Sequence, residues 1–145
     1  MKLSKNFSLQ ELVASATASK YGIKNTPNAE QLQNLKNLTE QILQPIRDAW
    51  GSTIIVSSGF RCPALNKKVN GAKNSDHVYG AAADIHTLAD TIPENKKLWD
   101  LIIKLKNEGK IKCRQIINEY NYNWIHVSIN HKKNSYKNNQ ILTIK

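Results

Sequence analysis

The stretch SDHVYGAAAD, residues 75–84, sets His77 and Asp84 seven positions apart, with a glycine and three alanines leading to the aspartate. Small residues let two backbone segments approach closely, which a cluster of metal ligands requires. Imidazole nitrogen and carboxylate oxygen both bind zinc, and a catalytic zinc site has three protein ligands and one open position. The stretch therefore predicts a zinc ligand pair, with a third ligand supplied from elsewhere in the chain.

The segment WIHVS, residues 124–128, supplies the best candidate for the third ligand. Its short alternation predicts a strand with Ile125 and Val127 on one face and His126 on the other. A histidine opposite a pair of core residues is placed as a ligand at the surface of a sheet would be. We therefore predict His126 as the third ligand.

Other interpretations of these residues remain open at this point. His86 is a rival ligand, because alternation puts it on the same strand face as Asp84. His131 lies in a weakly patterned tail, and we expect it to take no part. A lone histidine is usually structural or exposed, and a lone aspartate can cap a turn. The residues alone therefore leave the three-ligand site undecided.

A carboxylate close to this predicted site is suggested by the spacing of two short strands. If YNYN, residues 120–123, forms a hairpin loop, then Glu119 pairs with Trp124 and Ile117 pairs with His126. Glu119 is then diagonal to His126 on one face, about 7–8 Å away by backbone. That separation leaves room for a water, so Glu119 is predicted as a general base that does not bind the metal. Taken alone, Glu119 would be a surface carboxylate.

The rest of the chain alternates helical and strand patterns. A helix capped at Ser8 is expected to run to about Lys20. A second helix, with Thr26-Pro27 at its start, carries an apolar stripe, is kinked by Pro45 and stops at Gly51. Strands at 53–57, 80–86, 115–119 and 124–128 and a helix at 93–108 complete the pattern. We predict an α+β fold with an antiparallel sheet flanked by helices, one domain at 1–130, and a loosely attached Asn- and Lys-rich tail at 131–145.

Composition narrows the function classes. The chain has 145 residues and a formal net charge of +10, so it attracts polyanions. No helix concentrates arginine and lysine on one face with aromatic residues between them, so we expect no specific nucleic-acid partner. Two cysteines, Cys62 and Cys113, can form at most one disulfide.

The lengths of the apolar segments bear on where the protein is located in the cell. No segment has the ~18 apolar residues of a membrane span. The start, MKLSKNFSLQ, lacks the apolar stretch of a secretory signal. We therefore expect a protein that is cytoplasmic at synthesis and needs another route to any substrate outside the cell. We also expect it to be a monomer.

The pattern S-x-H-x-x-G-x-A-x-D at 75–84, followed by W-x-H at 124–126, resembles the signature of the zinc D-Ala-D-Ala peptidases. That family includes D-Ala-D-Ala carboxypeptidases, D-Ala-D-Ala dipeptidases and the L-alanyl-D-glutamate endolysins of phages. The segment SGFRCP, residues 58–63, with Leu65-Asn66 after it, is similar to the family's stretch before the first histidine. The resemblance covers roughly residues 7–128 and is nearest to the compact carboxypeptidase-like type, often encoded by phages or prophages.

The resemblance implies a hedgehog/D,D-peptidase-like fold and a zinc ion (Zn²⁺) as cofactor. It implies His77, Asp84 and His126 as the metal ligands. It implies that Arg61 grips a substrate carboxylate or polarises the scissile carbonyl. The alternative for Arg61 is a surface salt bridge. Further substrate-binding residues are implied at Ser75, which could also support the first ligand, and at Trp124.

One position departs from the family. Several members place the catalytic acid three residues before the last histidine, where this chain has Asn123, which cannot act as a base. Glu119 lies seven residues before that histidine, and this longer spacing resembles the one in the compact type. We therefore retain Glu119 as the predicted catalytic acid and base.

The function implied is hydrolysis of peptide bonds in peptidoglycan stem peptides, of the D-Ala-D-Ala carboxypeptidase or endopeptidase (endolysin) type. The enzyme would reach the cell wall after holin release or as a phage virion or prophage product. The alternative is a non-catalytic, zinc-containing module that binds cell wall or builds a virion. No residue pattern indicates which bond is cut.

Overall fold

A computed structural model describes all residues, 1–145, and shows an α+β fold with a five-stranded sheet flanked by helices. The strand order is β1-β2-β4-β3-β5. The strands are β1 Ile54–Ser58, β2 Ala82–Thr87, β3 Gln115–Glu119, β4 Trp124–Ser128 and β5 Gln140–Ile144. The helices are α1 Leu9–Val13, α2 Ala16–Tyr21, α3 Ala29–Leu38, α4 Gln44–Trp50, α5 Pro63–Lys68 and α6 Ile92–Asn107.

The first predicted helix is broken into two. Ser8 caps α1 as predicted, because its hydroxyl accepts the Glu11 N–H at 3.2 Å. The chain then becomes extended at Ala14, and Ser15 caps α2 by accepting the Ala18 N–H at 3.1 Å. Ser15 interrupts the predicted helix because serine competes well for the backbone donors of a new first turn. Gly22 ends α2 with φ +64°.

The second predicted helix begins at Ala29, with Asn28 rather than Thr26 as its cap. A π-helical segment, Thr39–Leu43, joins α3 to α4 just before Pro45. Proline lacks an N–H and crowds the carbonyl one turn earlier, and the wider π turn accommodates both effects. The predicted kink at Pro45 thus takes the form of a π bulge. The apolar stripe is buried as expected, with Leu35, Leu38, Ile42 and Ile46 all at 0% exposure.

The two faces of the sheet have different roles. Strands β1, β2, β4 and β3 pair antiparallel in that order, while β5 runs parallel to β3, so the sheet is mixed rather than wholly antiparallel. One face carries Ala83, Ile85, Ile125 and Val127, which are buried in a single apolar cluster with residues of α3 and α6. Alternation sends the side chains between them to the opposite face, where the polar groups of the site lie.

The prediction of a loosely attached tail is wrong. Residues Gln140–Ile144 form the edge strand β5, and Gln140 N–H donates to Arg114 O at 3.1 Å just before the two strands pair. This strand was not predicted because it is short and follows an Asn- and Lys-rich stretch. Its apolar side chains stay partly exposed, with Ile141 at 42% and Ile144 at 39%.

Neither cysteine is in a disulfide: Cys62 and Cys113 are both free thiols. No helix has both the length and the apolar character that crossing a lipid bilayer demands.

Gly80 is required by its backbone conformation and by a close contact. It has φ +72°, and a Cβ there would lie 2.5 Å from the Gln31 carbonyl oxygen on α3. We expect Gly80→Ala to lower the free energy of unfolding by about 2 kcal/mol or more, since strain and overpacking add. Urea denaturation measures it. Gly22→Ala is the matched control, with φ +64° and no atom within 4 Å, and it should cost only about 1 kcal/mol. Equal losses would contradict a role for the contact.

Candidate metal centre and active site

Three donors converge on the polar face of the sheet. Strand pairing sets Asp84 on β2 directly opposite His126 on β4. The turn Asp76–Tyr79 brings His77 to the same point. His77 Nε2 lies 3.3 Å from Asp84 Oδ1, and His126 Nδ1 lies 3.1 Å from the same oxygen. One ligand atom from each residue lies within 4.8 Å of the others, and all three residues are buried. The predicted trio is therefore close enough to share one metal ion.

His77 is oriented by the backbone of the loop after β1. Its Nδ1 lies 2.7 Å from the Gly59 carbonyl oxygen, which can only accept a hydrogen bond. Nδ1 therefore donates to this carbonyl, and Nε2 faces Asp84. A backbone carbonyl behind a ligating histidine fixes the tautomer and ring orientation that metal binding needs. A side chain at Gly59 would meet Leu12 O at 2.2 Å, so glycine is required for this approach.

Asp84 is held in the ionised form that a metal ligand needs. Burial by itself would raise the pKa of this carboxyl. The charges of His77 and His126 and their hydrogen bonds outweigh burial and hold the pKa of Asp84 well below its usual range. An ionised carboxylate between two imidazoles is a donor set that suits zinc.

His86, the rival ligand, lies apart from this cluster. Its Nδ1 is 2.7 Å from the Thr87 carbonyl oxygen and 3.5 Å from Asp90 Oδ1. These contacts turn the ring towards the loop after β2. The group of residues that could hold a metal does not include His86.

The hairpin of β3 and β4 has the predicted register, with Glu119 opposite Trp124 and Ile117 opposite His126. The Trp124 indole N–H donates to Glu119 Oε2, which leaves Oε1 without a partner in the protein. The loop is tight, because Tyr120, Asn121 and Tyr122 all have positive φ. Glu119 lines the same pocket as the three donors and is not one of them. The geometry fits a base beside a metal site.

Arg61 faces this pocket as a partly buried cation. Its Nη2 donates to Ser75 Oγ at 3.4 Å, while its Nε is buried without a partner. Burial lowers the pKa of Arg61, although the carboxylates of Asp84 and Glu119 act to raise it. Arg61 pairs with no carboxylate, so the alternative of a surface salt bridge is wrong. Ser75 also accepts the His77 N–H at 3.2 Å, and it therefore links Arg61 to the first histidine.

Known proteins resemble this chain over most of its length. The sequence model of the peptidase M15 family matches residues 5–128. The chain belongs to the peptidase M15 family. A curated relative, the zinc D-Ala-D-Ala carboxypeptidase of Streptomyces albus G, is 50% identical over 44 residues, which are 30% of this chain and 17% of that protein. The chain therefore spans less than a fifth of that relative.

Family membership confirms the resemblance that the sequence suggested. The family is one of peptidases, and the buried His-Asp-His cluster of this chain is a set of donors that suits zinc.

This member of the M15 family has a second polar cluster that was not predicted from the sequence. Asp76 is 5% exposed and accepts hydrogen bonds from Arg114, His131 and Asn134. His131, which we expected to take no part, has a side chain that is 1% exposed. Two of these partners lie beyond residue 128, where the family match ends. The sequence offered one signal for this cluster: Asp76 directly precedes the predicted ligand His77, and Arg114 directly precedes a predicted strand.

Both clusters open on one pocket of about 610 Å³. Arg61, His77, Asp84 and Glu119 line it, as does Trp124. Arg114 and Asn134 of the second cluster line it as well. A volume of this size suits a small peptide rather than a single amino acid.

Proposed function

We propose that this chain is a zinc-dependent peptidase that hydrolyses peptide bonds in bacterial peptidoglycan stem peptides, as a D-Ala-D-Ala carboxypeptidase or an endopeptidase of the endolysin type. The observation that carries the proposal is the buried His77–Asp84–His126 cluster in a pocket that also presents Glu119 and Arg61. A base and a cation beside a three-donor metal site are the parts that metal-assisted hydrolysis of an amide needs.

His77, Asp84 and His126 would hold the zinc ion. Two imidazoles and one carboxylate match the ligand types of catalytic zinc, and three ligands leave one position open. The bound ion would supply a Lewis acid that polarises the scissile carbonyl and lowers the pKa of water. The residues fit the ion, because their donor atoms already lie within 4.8 Å of one another.

Glu119 would move the protons. Its Oε2 is occupied by the Trp124 indole N–H, so Oε1 is available to take a proton from the attacking water. The same carboxyl can then give that proton to the leaving amine. Trp124 acts in this scheme as a positioning residue for the base, which adds to the substrate contact predicted for it.

Arg61 would bind an oxygen of the substrate. A guanidinium offers N–H groups in a planar fork that suits a carboxylate or a developing oxyanion. In this chain Nε lacks a partner and Nη2 has only the long contact to Ser75. Because Nε is buried, the N–H groups of Nη1 and Nη2 are the ones that remain available for a substrate carbonyl or a terminal carboxylate.

The choice of peptidoglycan is supported by charge and by family. A net charge of +10 favours encounter with an anionic cell wall. The Streptomyces albus G relative is by name a D-Ala-D-Ala carboxypeptidase. The resemblance to the compact carboxypeptidase-like type supports a phage-type enzyme that reaches the wall after holin release or in a virion.

Arg61→Ala tests the role of the cation. We expect kcat/KM to fall by about 10²–10³-fold, as for loss of a donor to the oxyanion. Zinc content should stay unchanged, because Arg61 donates no ligand atom to the cluster. Metal analysis and steady-state kinetics measure both quantities, with Arg47→Ala on α4 as the matched control. Zinc loss in proportion to activity loss would contradict this role.

Digestion of purified peptidoglycan tests the function itself. The zinc-loaded protein and its Glu119→Ala variant are incubated with the polymer, and mass spectrometry identifies new peptide termini. New termini from the unaltered protein alone would establish the peptidase and name the bond. No product from either protein, across several peptidoglycan chemistries and with zinc bound, would overturn the proposal in favour of a non-catalytic binding module.

A further inference from the structure

The wall of the pocket contains a buried ion pair that takes no part in the metal site. Arg114 Nη1 donates to Asp76 Oδ2 at 2.7 Å, and their side chains are 10% and 4% exposed. Asp76 begins the turn that carries His77, and Arg114 directly precedes β3, which carries Glu119. Replacing a buried ion pair by apolar residues often costs no stability, so stability alone is a weak reason for a charged pair here.

The chain beyond the family match completes this wall. Arg114 Nε donates to the Ser135 carbonyl oxygen at 3.0 Å, and His131 Nε2 lies 2.9 Å from Asp76 Oδ1. His131 Nδ1 accepts the Lys133 N–H at 3.3 Å, so Nε2 carries a proton and donates to Asp76. Asn134 donates to the same carboxylate oxygen. Both carboxylate oxygens of Asp76 thus accept hydrogen bonds within the chain.

The guanidinium of Arg114 is only partly satisfied. Of its five N–H groups, Nε uses one and Nη1 uses two, on Asp76 and on Gln115 at 3.0 Å. Nη2 donates to no group of the chain. Nη2 retains solvent-accessible surface, and Arg114 lines the pocket. A rigidly held cation in the pocket wall therefore has two N–H groups that are accessible to solvent and have no protein partner.

We propose that Arg114 Nη2 is a second anchor of this pocket and binds a carboxylate of the stem peptide remote from the bond that is cut. The inference rests on the proposed function. The pair with Asp76 and the bond to Ser135 fix the guanidinium plane, so little side-chain freedom is lost when an anion binds. A pocket of about 610 Å³ accommodates a peptide long enough to reach both arginines.

The anchor distinguishes this chain from what the family match covers. Ser135, which accepts a hydrogen bond from Arg114, and Asn134, which donates one to Asp76, lie outside residues 5–128. The residues after 130 would then contribute to substrate choice as well as to the sheet. Peptidoglycans differ in whether stem-peptide carboxyl groups are free or amidated, and Arg114 would favour the free acid.

Matched peptides test the anchor. One pair carries D-glutamate or its amide, D-isoglutamine, and a second pair carries diaminopimelate with a free or an amidated carboxyl. We expect the unaltered protein to lose about tenfold in kcat/KM on amidation at one of these positions, mainly through KM, as for loss of a charge-assisted hydrogen bond. Arg114→Lys should remove that preference while zinc content stays unchanged. Arg47→Lys, the same change away from the pocket, should keep the preference.

Peptide binding to the zinc-loaded Glu119→Gln variant, measured by calorimetry, separates this inference from the proposed function. Cleavage of both members of each pair at equal kcat/KM by the unaltered protein would overturn the anchor and leave the peptidase intact. If no peptide is cut but the free acids still bind more tightly, in a manner lost with Arg114→Lys, the anchor stands and the peptidase fails. Equal binding of acids and amides overturns the anchor. Because the unaltered protein decides the first comparison, poor folding of Arg114→Lys does not obscure it.

Discussion

The Glu119→Gln variant is expected to lose about 10³-fold in kcat, near the middle of the range for general acid–base catalysis, while retaining zinc at the level of the unaltered protein. The amide keeps the size of the side chain and can still accept the Trp124 indole N–H, but it cannot take a proton from water. Zinc should be retained because Glu119 is not among the three clustered donors. Steady-state kinetics on a defined stem peptide and metal analysis of the same preparation measure the two quantities.

Glu94→Gln is the matched control for that experiment. Glu94 lies on α6 and pairs with Lys97 at 3.0 Å on the surface, so its loss should leave both turnover and zinc unchanged. Near-normal turnover of Glu119→Gln would exclude this carboxylate as the base. The proton transfer would then need another group, and Asn123, at the usual family position, cannot supply one.

The placement of Glu119 could be predicted because the hairpin is local. A loop of four residues between two short strands fixes which residues pair, and side-chain alternation then fixes which share a face. The observed pairs Glu119 with Trp124 and Ile117 with His126 follow from loop length alone. The positive φ angles at Tyr120 to Tyr122 were not predictable, since asparagine favours such angles and tyrosine does not.

The proximity of His77, Asp84 and His126 needed more than local rules. Spacing within residues 75–84 suggested two donors, but only the pairing of β2 with β4 brings His126 opposite Asp84. That pairing joins strands far apart in sequence, and no turn chemistry specifies it. The likeness to a known family supplied this information, since the residues alone had left His86 as a rival ligand.

The second cluster shows where sequence reasoning failed and why. Asp76 and Arg114 are 38 positions apart, and His131 and Asn134 come from a segment without a clear apolar pattern. Their contacts depend on β5 returning to the sheet edge beside β3. A short strand among asparagines and lysines carries a weak periodic signal. Its pairing with β3, and the contacts that depend on this pairing, could therefore not be predicted from the sequence.

Asp84→Asn is expected to weaken zinc affinity by more than about 100-fold, because even outer-shell partners of zinc are worth about 10–100-fold. Asp84 Oδ1 lies 3.3 Å from His77 Nε2 and 3.1 Å from His126 Nδ1, so it is the central and only anionic donor of the three. An asparagine keeps the shape but offers a neutral oxygen, a poorer ligand for a divalent cation. Titration against a competing chelator measures the affinity, and hydrolysis at limiting zinc should fall in parallel.

The matched control for Asp84→Asn is Asp90→Asn, which removes the carboxylate beside His86 at 3.5 Å. This second His–Asp pair lies outside the cluster, so its loss should leave zinc affinity unchanged. Equal affinity in the two variants would exclude Asp84 as a ligand and leave two histidines, too few for a stable catalytic zinc site. If Asp84→Asn kept zinc but lost hydrolysis, Asp84 would instead act as an orienting partner of the histidines, the role that carboxylates take in the outer shell of zinc sites.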